Sequence, residues 1–503
     1  MGRAEGGMTG GARPGGSSWS ERPHVAASIV ACVFGAQALL RALGPVTDQD
    51  SFWIAAAGRT MWESGAAPRE NLFSFTDPSH PWVFHELAFG LIYAKGLVAF
   101  GPVFLDLFGV VAASVTVLVI AGHVSRIAAR RATLAVVMLP VLLELPVFHP
   151  RPPYASFGFV AAMTALAFGS PSRRFDWRHA IGCVALEWAW TQAHGSFPLG
   201  VLLLVLGAIE QRDRRWRLGA AGAAALVTLL NPYGWRLHAL VLRYAAGGSG
   251  VADVIHRHIT EFLPVWSAPT AFGPFDGIAV ATCAAAAVWA ISKGARLRGA
   301  IVLVASGLAM APVRHVHLAT ILAAMLLVPE LDAAVGALVA PGAQGAGAPR
   351  PWRRAAWCVV PGAALALIVG AVAGGLRGEA AMLGPNVGGP ALPALLERVP
   401  DGAHVYAPFG VSPAVIWYGF PRGVRVMYDS RNDCYEPDVA LESLSLDYDP
   451  EAKRAAAATI AARGADHALT RRHDEVFESL SNSGAWRLVE ARGELALFAS
   501  ARR

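Results

Sequence analysis

Apolar residues run through this chain in long stretches, broken by short polar ones. A helix needs roughly 17–25 apolar residues to cross a bilayer. By that measure, eleven spanning helices are expected at about 24–43, 102–122, 132–148, 153–170, 178–193, 195–210, 216–231, 272–292, 296–312, 313–332 and 354–375. Lys and Arg collect on the cytoplasmic side of membrane proteins. Arg3, Arg13 and Arg22, then Arg126, Arg130 and Arg131, then Arg173, Arg174 and Arg178 form such clusters. So do Arg212, Arg214, Arg215 and Arg217, and the segments 293–298 and 350–354. All of them fall on one side if the apolar run 82–100 does not cross. That run carries His85, Glu86 and Lys95, which suit an interfacial or re-entrant helix; a plain second crossing is the alternative.

The pattern also divides the chain. Residues 1–23, rich in Gly, Ser and Arg, read as a disordered cytoplasmic tail. An all-α polytopic membrane domain is expected over 24–376, with a first external loop at 44–101 and a flexible cytoplasmic loop at 333–351. From 377 to 503 the chain turns charged and has no spanning run, which predicts a small α/β domain on the external side. There AHVYAP, VRVMYD and ADHALT read as strands, PEAKRAAAATIAARG as helix, and WRLVEARGELALFA as a hairpin turning near Arg492–Gly493.

Composition agrees with a membrane protein. Of 503 residues, 54% are hydrophobic and 16% charged, against about 25% charged in soluble domains. Mean hydropathy is +0.44. The net charge of +6 matters through its placement, and no nucleic-acid partner is expected. The five cysteines are scattered without a CxxC or Cys/His metal spacing and read as small core residues.

The distinctive polar groups converge on the external face. Asp48 and Asp50 follow the first span directly and open a loop dense in aromatics: Trp53, Trp62, Phe73, Phe75 and Trp82, then His85–Glu86. Acids beside a bilayer are costly without a partner or a task. A D-x-D pair can share a divalent cation (Mg or Mn) with a phosphate, or one member can act as a base. The alternative is a solvated loop with anchoring aromatics. In HPRPPY, Arg151 sits between prolines at a helix junction, where a guanidinium can grip a phosphate or snorkel to hold a helix end. His194 at a break between spans reads as a ligand contact or a tight-turn residue. In NPYGWRLHAL, Asn231, Pro232 and Gly234 are turn formers, whereas Arg236 is a candidate contact. His256, His258 and Glu261 suit a polar rim better than a metal site, because i, i+2 histidines do not share a helix face. Arg314 and His315 meet where two apolar runs join. In VMYDSRNDCYEP, Arg431 either contacts a ligand or pairs with Asp429 or Asp433. No Walker loop, GxSxG, HExxH or Rossmann glycine pattern occurs.

An aspartate-bearing first external loop resembles the GT-C class of membrane glycosyltransferases, which includes protein O-mannosyltransferases and lipid A aminoarabinose transferases. The sequence is most similar to a bacterial GT-C-like group. The residues that carry the likeness are Asp48, Asp50, Phe52, Trp53, Gly58, Gly65, Pro68, Arg69, Phe73–Thr76, Pro81–Val83, His85 and Glu86. Weaker pieces are Arg151–Pro152, His194–Gly195, Asn231–Pro232–Gly234, Arg314–His315 and Asp429–Ser430–Arg431. Ile54 departs from the group's pattern, which has a histidine there.

The resemblance implies a multi-pass protein of the bacterial inner membrane that transfers a sugar from a polyprenyl-phosphate donor to a glycan, lipid or protein acceptor at the periplasmic face. Asp48 and Asp50 would be catalytic. His85, Glu86, Arg151, His194, Arg236, Arg314, His315 and Arg431 would bind substrate. A non-enzymatic envelope scaffold or lipid-binding protein is the alternative, followed by a transporter, for which no repeated halves are evident.

Overall fold

A computed structural model describes residues 25–144, 150–169, 174–210, 212–246, 258–267, 276–338, 351–431 and 433–501. The tail 1–23, His149, Arg173, His256, Arg257, Asn432 and most of the 333–351 loop lie outside the described residues. The helices of the first part are α1 (Val25–Leu43), α2 (Asp50–Ser64), α3 (Leu87–Phe100), α4 (Val103–Ile127), α5 (Arg131–Glu144), α6 (Pro152–Ala155), α7 (Phe157–Ala167) and α8 (Trp177–Ala193). They continue as α9 (Pro198–Glu210), α10 (Arg214–Val227), α11 (Trp235–Ala246), α12 (Asp276–Ser292), α13 (Arg296–Ala309), α14 (Val316–Leu326), α15 (Val328–Leu338) and α16 (Pro351–Arg377).

The expectation of eleven long spans needs correction. Among the described residues three helices are long and apolar enough to cross a membrane: Val25–Leu43, Val103–Ile127 and Ala355–Arg377. A fourth is reached if Val313–Leu326 and Val328–Leu338, bent by 68°, form one broken span. Turn chemistry cuts the other apolar runs short. The run at 153–170 becomes a four-residue α6 and an eleven-residue α7, and the run at 195–210 yields a thirteen-residue α9 that starts at Pro198. The disputed run 82–100 holds a 14-residue helix, shorter than a span.

Small residues let the bundle close. A Cβ on Gly362 of α16 would stand 2.6 Å from the Gly35 Cα of α1. A Cβ on Gly58 of α2 would overlap the Gly90 carbonyl of α3. Such close crossings are how membrane helices gain packing without a hydrophobic driving force. The Arg41–Asp106 pair, 2.6 Å apart, ties α1 to α4. At one end of the bundle Asp332 accepts from the Ala129 and Arg130 backbone and from Thr133 Oγ1, 2.6–3.1 Å away. The polar site lies at the other end, where α1 finishes and α4 begins.

After α16 come α17 (Leu392–Leu396), β1 (His404–Tyr406), α18 (Ser412–Gly419), β2 (Arg425–Val426), α19 (Pro437–Tyr448), α20 (Pro450–Arg454), α21 (Ala456–Ala462), β3 (His467–Arg471), α22 (Glu475–Asn482), β4 (Trp486–Arg492) and β5 (Leu495–Ser500). The five strands order as β2-β1-β3-β5-β4. β1 is parallel to β2 and β3, and β5 is antiparallel to β3 and β4. The expected hairpin turns at Gly493, whose φ of 56° favours glycine.

The loop between α2 and α3 completes this sheet. Ser74 bridges Val426 in parallel, Val426 N–H donates to the Phe73 carbonyl at 2.9 Å, and Phe75 N–H donates to the Val426 carbonyl at 3.1 Å. The loop thus covers an edge that would otherwise expose unpaired backbone groups. It also fixes the C-terminal domain to the face of the bundle that bears Asp48.

Asp447 on α19 caps the Phe409 N–H with both oxygens, at 3.1 and 3.2 Å. Burial pushes its carboxyl up to about 7, against the Phe409 N–H, Lys453 and Arg471, with Asp474 adding to the rise. A carboxyl whose folded-state pKa lies above its unfolded value of about 4 stabilises the fold at low pH. That contribution fades as pH rises from about 4 to about 7. Asp447→Asn should therefore flatten the fall of the melting temperature over that range. Thermal unfolding of the detergent-solubilised protein across pH checks this; an unchanged slope contradicts it.

Candidate active site

Asp48 and Asp50 lie where the chain leaves α1 and enters α2. Val46 pairs with Leu383, and the Val46 N–H donates to Met382 O at 2.8 Å, so this short segment is pinned to the chain beyond α16. Asp48 Oδ2 accepts from Ser51 N–H at 2.9 Å and from Ser51 Oγ at 2.5 Å, satisfying one of the free donors of the first turn of α2. Asp50 is the first residue of α2, where the helix dipole favours an anion.

Both carboxylates converge on Arg151, whose backbone the following prolines hold extended at the start of α6. Arg151 Nε lies 3.0 Å from Asp48 Oδ1, one Nη pairs with Asp50 Oδ2, and the other lies 2.8 Å from Glu261 Oε2. Asp50 Oδ1 also accepts from Ser430 Oγ at 2.5 Å and Trp53 Nε1 at 3.1 Å. The C-terminal domain therefore places a side chain directly on the D-x-D pair.

Burial raises the Asp48 carboxyl above the usual range, and Arg151 and Ser51 only partly oppose it. Burial acts on Asp50 too, but Arg151, Ser430 and Trp53 outweigh it and hold this group below the usual range. Burial, reinforced by Asp50, keeps the Glu86 carboxyl well above its ordinary value. His194 is held down to about 3 by burial, with His85 and Arg314 nearby, and is neutral.

Beside this cluster is a cavity of about 420 Å³. Its polar end shows Asp50, His85, Glu86, Arg314, His315 and Ser430. Its apolar wall includes Phe157, Val160, Leu199, Leu240 and Leu318. Arg314 lies over the Phe262 ring at 4.1 Å, and its carboxylate partner Glu261 stands 3.9 Å away. Its side chain is 42% exposed, against 23% for Arg151.

The expected site residues thus sort into groups. Asp50, His85, Glu86, Arg151, His194, Arg314 and His315 come together around the cavity. Asp48 backs it, paired to Arg151. Arg236 is exposed, follows the Asn231–Gly234 turn and does not line the cavity. Arg431 does not line it either. It pairs with Asp429 at 2.6 Å, donates to Asn71 Oδ1 at 2.7 Å, and lies between the rings of Phe73 and Trp82 at 4.7 and 4.6 Å. The guanidinium is fully buried at the junction of the first loop and the C-terminal domain, away from the cavity, and one of its nitrogens, Nη1, has no hydrogen-bond partner.

The first-loop pattern has the same explanation in part. Pro68 accepts from Tyr233 Oη at 2.6 Å, and Thr76 Oγ1 donates to Met427 O at 2.6 Å. Glu261, Ser430, Tyr154, Tyr244 and Phe409 were not expected in the site. Glu261 had a signal, an acid in a loop of histidines and arginine; Ser430 had only its place between Asp429 and Arg431.

A cation between Asp48 and Asp50 does not fit this arrangement. Their facing oxygens converge on the Arg151 guanidinium, which occupies that place. No step is derived through a metal there.

No family model matches the sequence, and no curated protein matches it. Among solved structures the chain shares the fold of the GT-C membrane glycosyltransferases. It is similar to ArnT from Cupriavidus metallidurans bound to undecaprenyl phosphate, with a TM-score of 0.50, 14% identity, and 94% of this chain and 97% of that one covered. It is also similar to the Archaeoglobus fulgidus oligosaccharyltransferase in the apo form, with a TM-score of 0.50, 11% identity, and 90% and 70% covered. At these identities the likeness is one of fold.

Arg151→Met should lower stability by a few kcal/mol, toward the roughly 3–5 kcal/mol expected when a buried ion pair loses one partner, because it leaves Asp48, Asp50 and Glu261 facing one another. Arg151→Lys should recover only part, since an ammonium cannot hold three carboxylates in a planar fork. Denaturation of the three proteins in one detergent checks this; equal stability of Met and wild type contradicts it.

Proposed function

We propose that this protein is a membrane glycosyltransferase that moves a sugar from a polyprenyl-phosphate carrier to an acceptor at the external face of the bacterial inner membrane. The observation that carries the reading is the cavity itself. It combines apolar side chains with two arginines, Arg151 and Arg314, and three carboxylates, Asp50, Glu86 and Glu261, which suits an isoprenoid chain ending in a phosphate-linked sugar.

In this reading the chain of the carrier lies along Val160, Leu199, Leu240 and Leu318. Arg314, with His315 beside it, takes the phosphate, because Arg151 is already engaged by three carboxylates. Asp50, held ionised, faces the sugar and stabilises the positive charge that develops at the anomeric carbon. Glu86 has the higher proton affinity, and accepts the proton of the acceptor hydroxyl as the bond to the sugar forms. The phosphate leaves with the bonding electrons of the broken C–O bond. The choice of the external face is supported by the basic clusters of the sequence, which would gather on the cytoplasmic side.

Asp50→Asn and Glu86→Gln should each lower transfer from a synthetic polyprenyl-phosphate sugar by roughly 100-fold or more, within the range for loss of acid–base or charge-stabilising groups. Asp48→Asn should cost less activity and more stability, since Asp48 backs the cavity. Activity should rise with pH through the elevated Glu86 pKa, because a base must be deprotonated to act, and Glu86→Gln should lose that limb. Full turnover by both variants would eliminate the proposal.

A further inference from the structure

Away from the cavity, the first external loop and the C-terminal domain meet at Asp77, His80 and Glu436. One potential ligand atom from each lies within 4.8 Å of the other two. His80 Nδ1 stands 3.4 Å from Asp77 Oδ2 and 3.4 Å from Glu436 Oε1. These separations are long for hydrogen bonds of about 2.7–3.2 Å. The buried Nδ1 indeed has no hydrogen-bond partner. A buried imidazole nitrogen left this way costs free energy unless something else meets it.

The spacing matches another arrangement. Zinc bonds of about 2.0–2.2 Å to nitrogen and carboxylate oxygen, at tetrahedral angles, set neighbouring ligand atoms about 3.3–3.6 Å apart. Both His80 separations fall in that window, and the Asp77 and Glu436 oxygens lie within 4.8 Å of each other.

The backbone holds the three residues in place. Asn71 N–H donates to His80 O at 3.0 Å and Trp82 N–H to Arg69 O at 2.8 Å, closing the loop into a hairpin that ends at His80. Glu436 N–H donates to Asp77 Oδ2 at 2.7 Å, which fixes Asp77 and leaves that oxygen a further lone pair. Glu436 opens α19, six residues after Ser430, and Asn71 accepts from Arg431 at 2.7 Å. An ion here would clamp the loop to the segment that carries Ser430 to Asp50.

We propose that Asp77, His80 and Glu436 form a binding site for one zinc-type divalent cation, with the fourth position left to water, and that the ion locks the first external loop onto the C-terminal domain. The site is distinct from the Asp48–Asp50 pair and does not depend on the transfer activity.

The test uses the full-length protein in detergent, stripped with a chelator and titrated with Zn²⁺ by calorimetry, with hydrogen exchange read over 70–81 and 429–438. The expected result is one equivalent bound, slower exchange in both segments, and at least a tenfold loss of affinity in His80→Gln and Glu436→Gln. The Glu436 side chain is 64% exposed, so its variant keeps the test available where His80→Gln fails to fold. Absence of Zn²⁺ binding by the wild type overturns the proposal. So does binding unchanged in Glu436→Gln, which would place the ion elsewhere, and so does binding that leaves exchange in the two segments unaltered.

Discussion

The three-way ion pair of Arg151 sets the geometry of the end of the bundle that bears the cavity. Asp48 and Asp50 come from the end of α1 and the start of α2, and Glu261 from a loop more than two hundred residues later. Without a cation between them these carboxylates would repel. Two unit charges about 4 Å apart interact by on the order of 4 kcal/mol at the dielectric of a protein surface. That is comparable with the net stability of many domains, so the cluster depends on the arginine. The prolines after Arg151 fix its backbone, so its position does not rely on the carboxylates it gathers. Arg151 is an organising group first, which explains why the more exposed Arg314 is the better candidate for a phosphate.

A second constraint joins the C-terminal domain to this cluster. Arg431, fully buried, donates from Nε and Nη2 to Asp429 and Asn71 and lies over two aromatic rings. A desolvated cation–π contact contributes about 2 kcal/mol, and loss of the guanidinium would leave Asp429 buried and unpaired. The price of burying this pair is met by contacts that span the interface, so the pair holds the 429–431 turn and the 71–82 loop in one register. Ser430, between the two members of the pair, is thereby aimed at Asp50. The C-terminal domain shapes the D-x-D pair directly, rather than merely covering it.

These two constraints show which parts of the molecule could be read from residue order. Hydropathy located the apolar runs, the composition change near 377 and the terminal hairpin, because each is a local property. It overstated the long spans, because apolar runs fold into helices too short to cross, as at 153–170, where α6 and α7 meet at Ser156 and α7 ends at Ala167. The polar clusters were recognised singly, but their sorting depended on partners far away in sequence. Arg431 reads in the sequence as a ligand contact or a partner of Asp429 or Asp433; the pair with Asp429 forms, and the ring partners Phe73 and Trp82, about 350 residues earlier, could not be read locally. Part of the first-loop pattern that carries the family resemblance, Phe73 to Phe75, pairs by its backbone with the sheet edge at Val426. Conversely, nothing local distinguished Ser430, whose importance is its single bond to Asp50.

The charge balance of the cavity bears on how an anion could enter it. Asp50, Glu86 and Glu261 all face the same space, and an added phosphate would meet their combined field. Glu86 lessens the conflict, because burial disfavours its charged form more than that of an ordinary carboxylate. Asp50 is masked by Arg151, Ser430 and Trp53. Glu261 is the remaining obstacle. It sits on a three-residue helical turn and is shared unequally, at 2.8 Å from Arg151 and 3.9 Å from Arg314. The longer contact is the weaker one, so a phosphate can displace it without disturbing the Arg151 cluster. On the proposed reaction, Arg314 then exchanges a distant carboxylate for the donor phosphate, while Arg151 keeps the three acids in place. The division of labour between the two arginines follows from their partners' distances, and it would not exist if both were equally saturated.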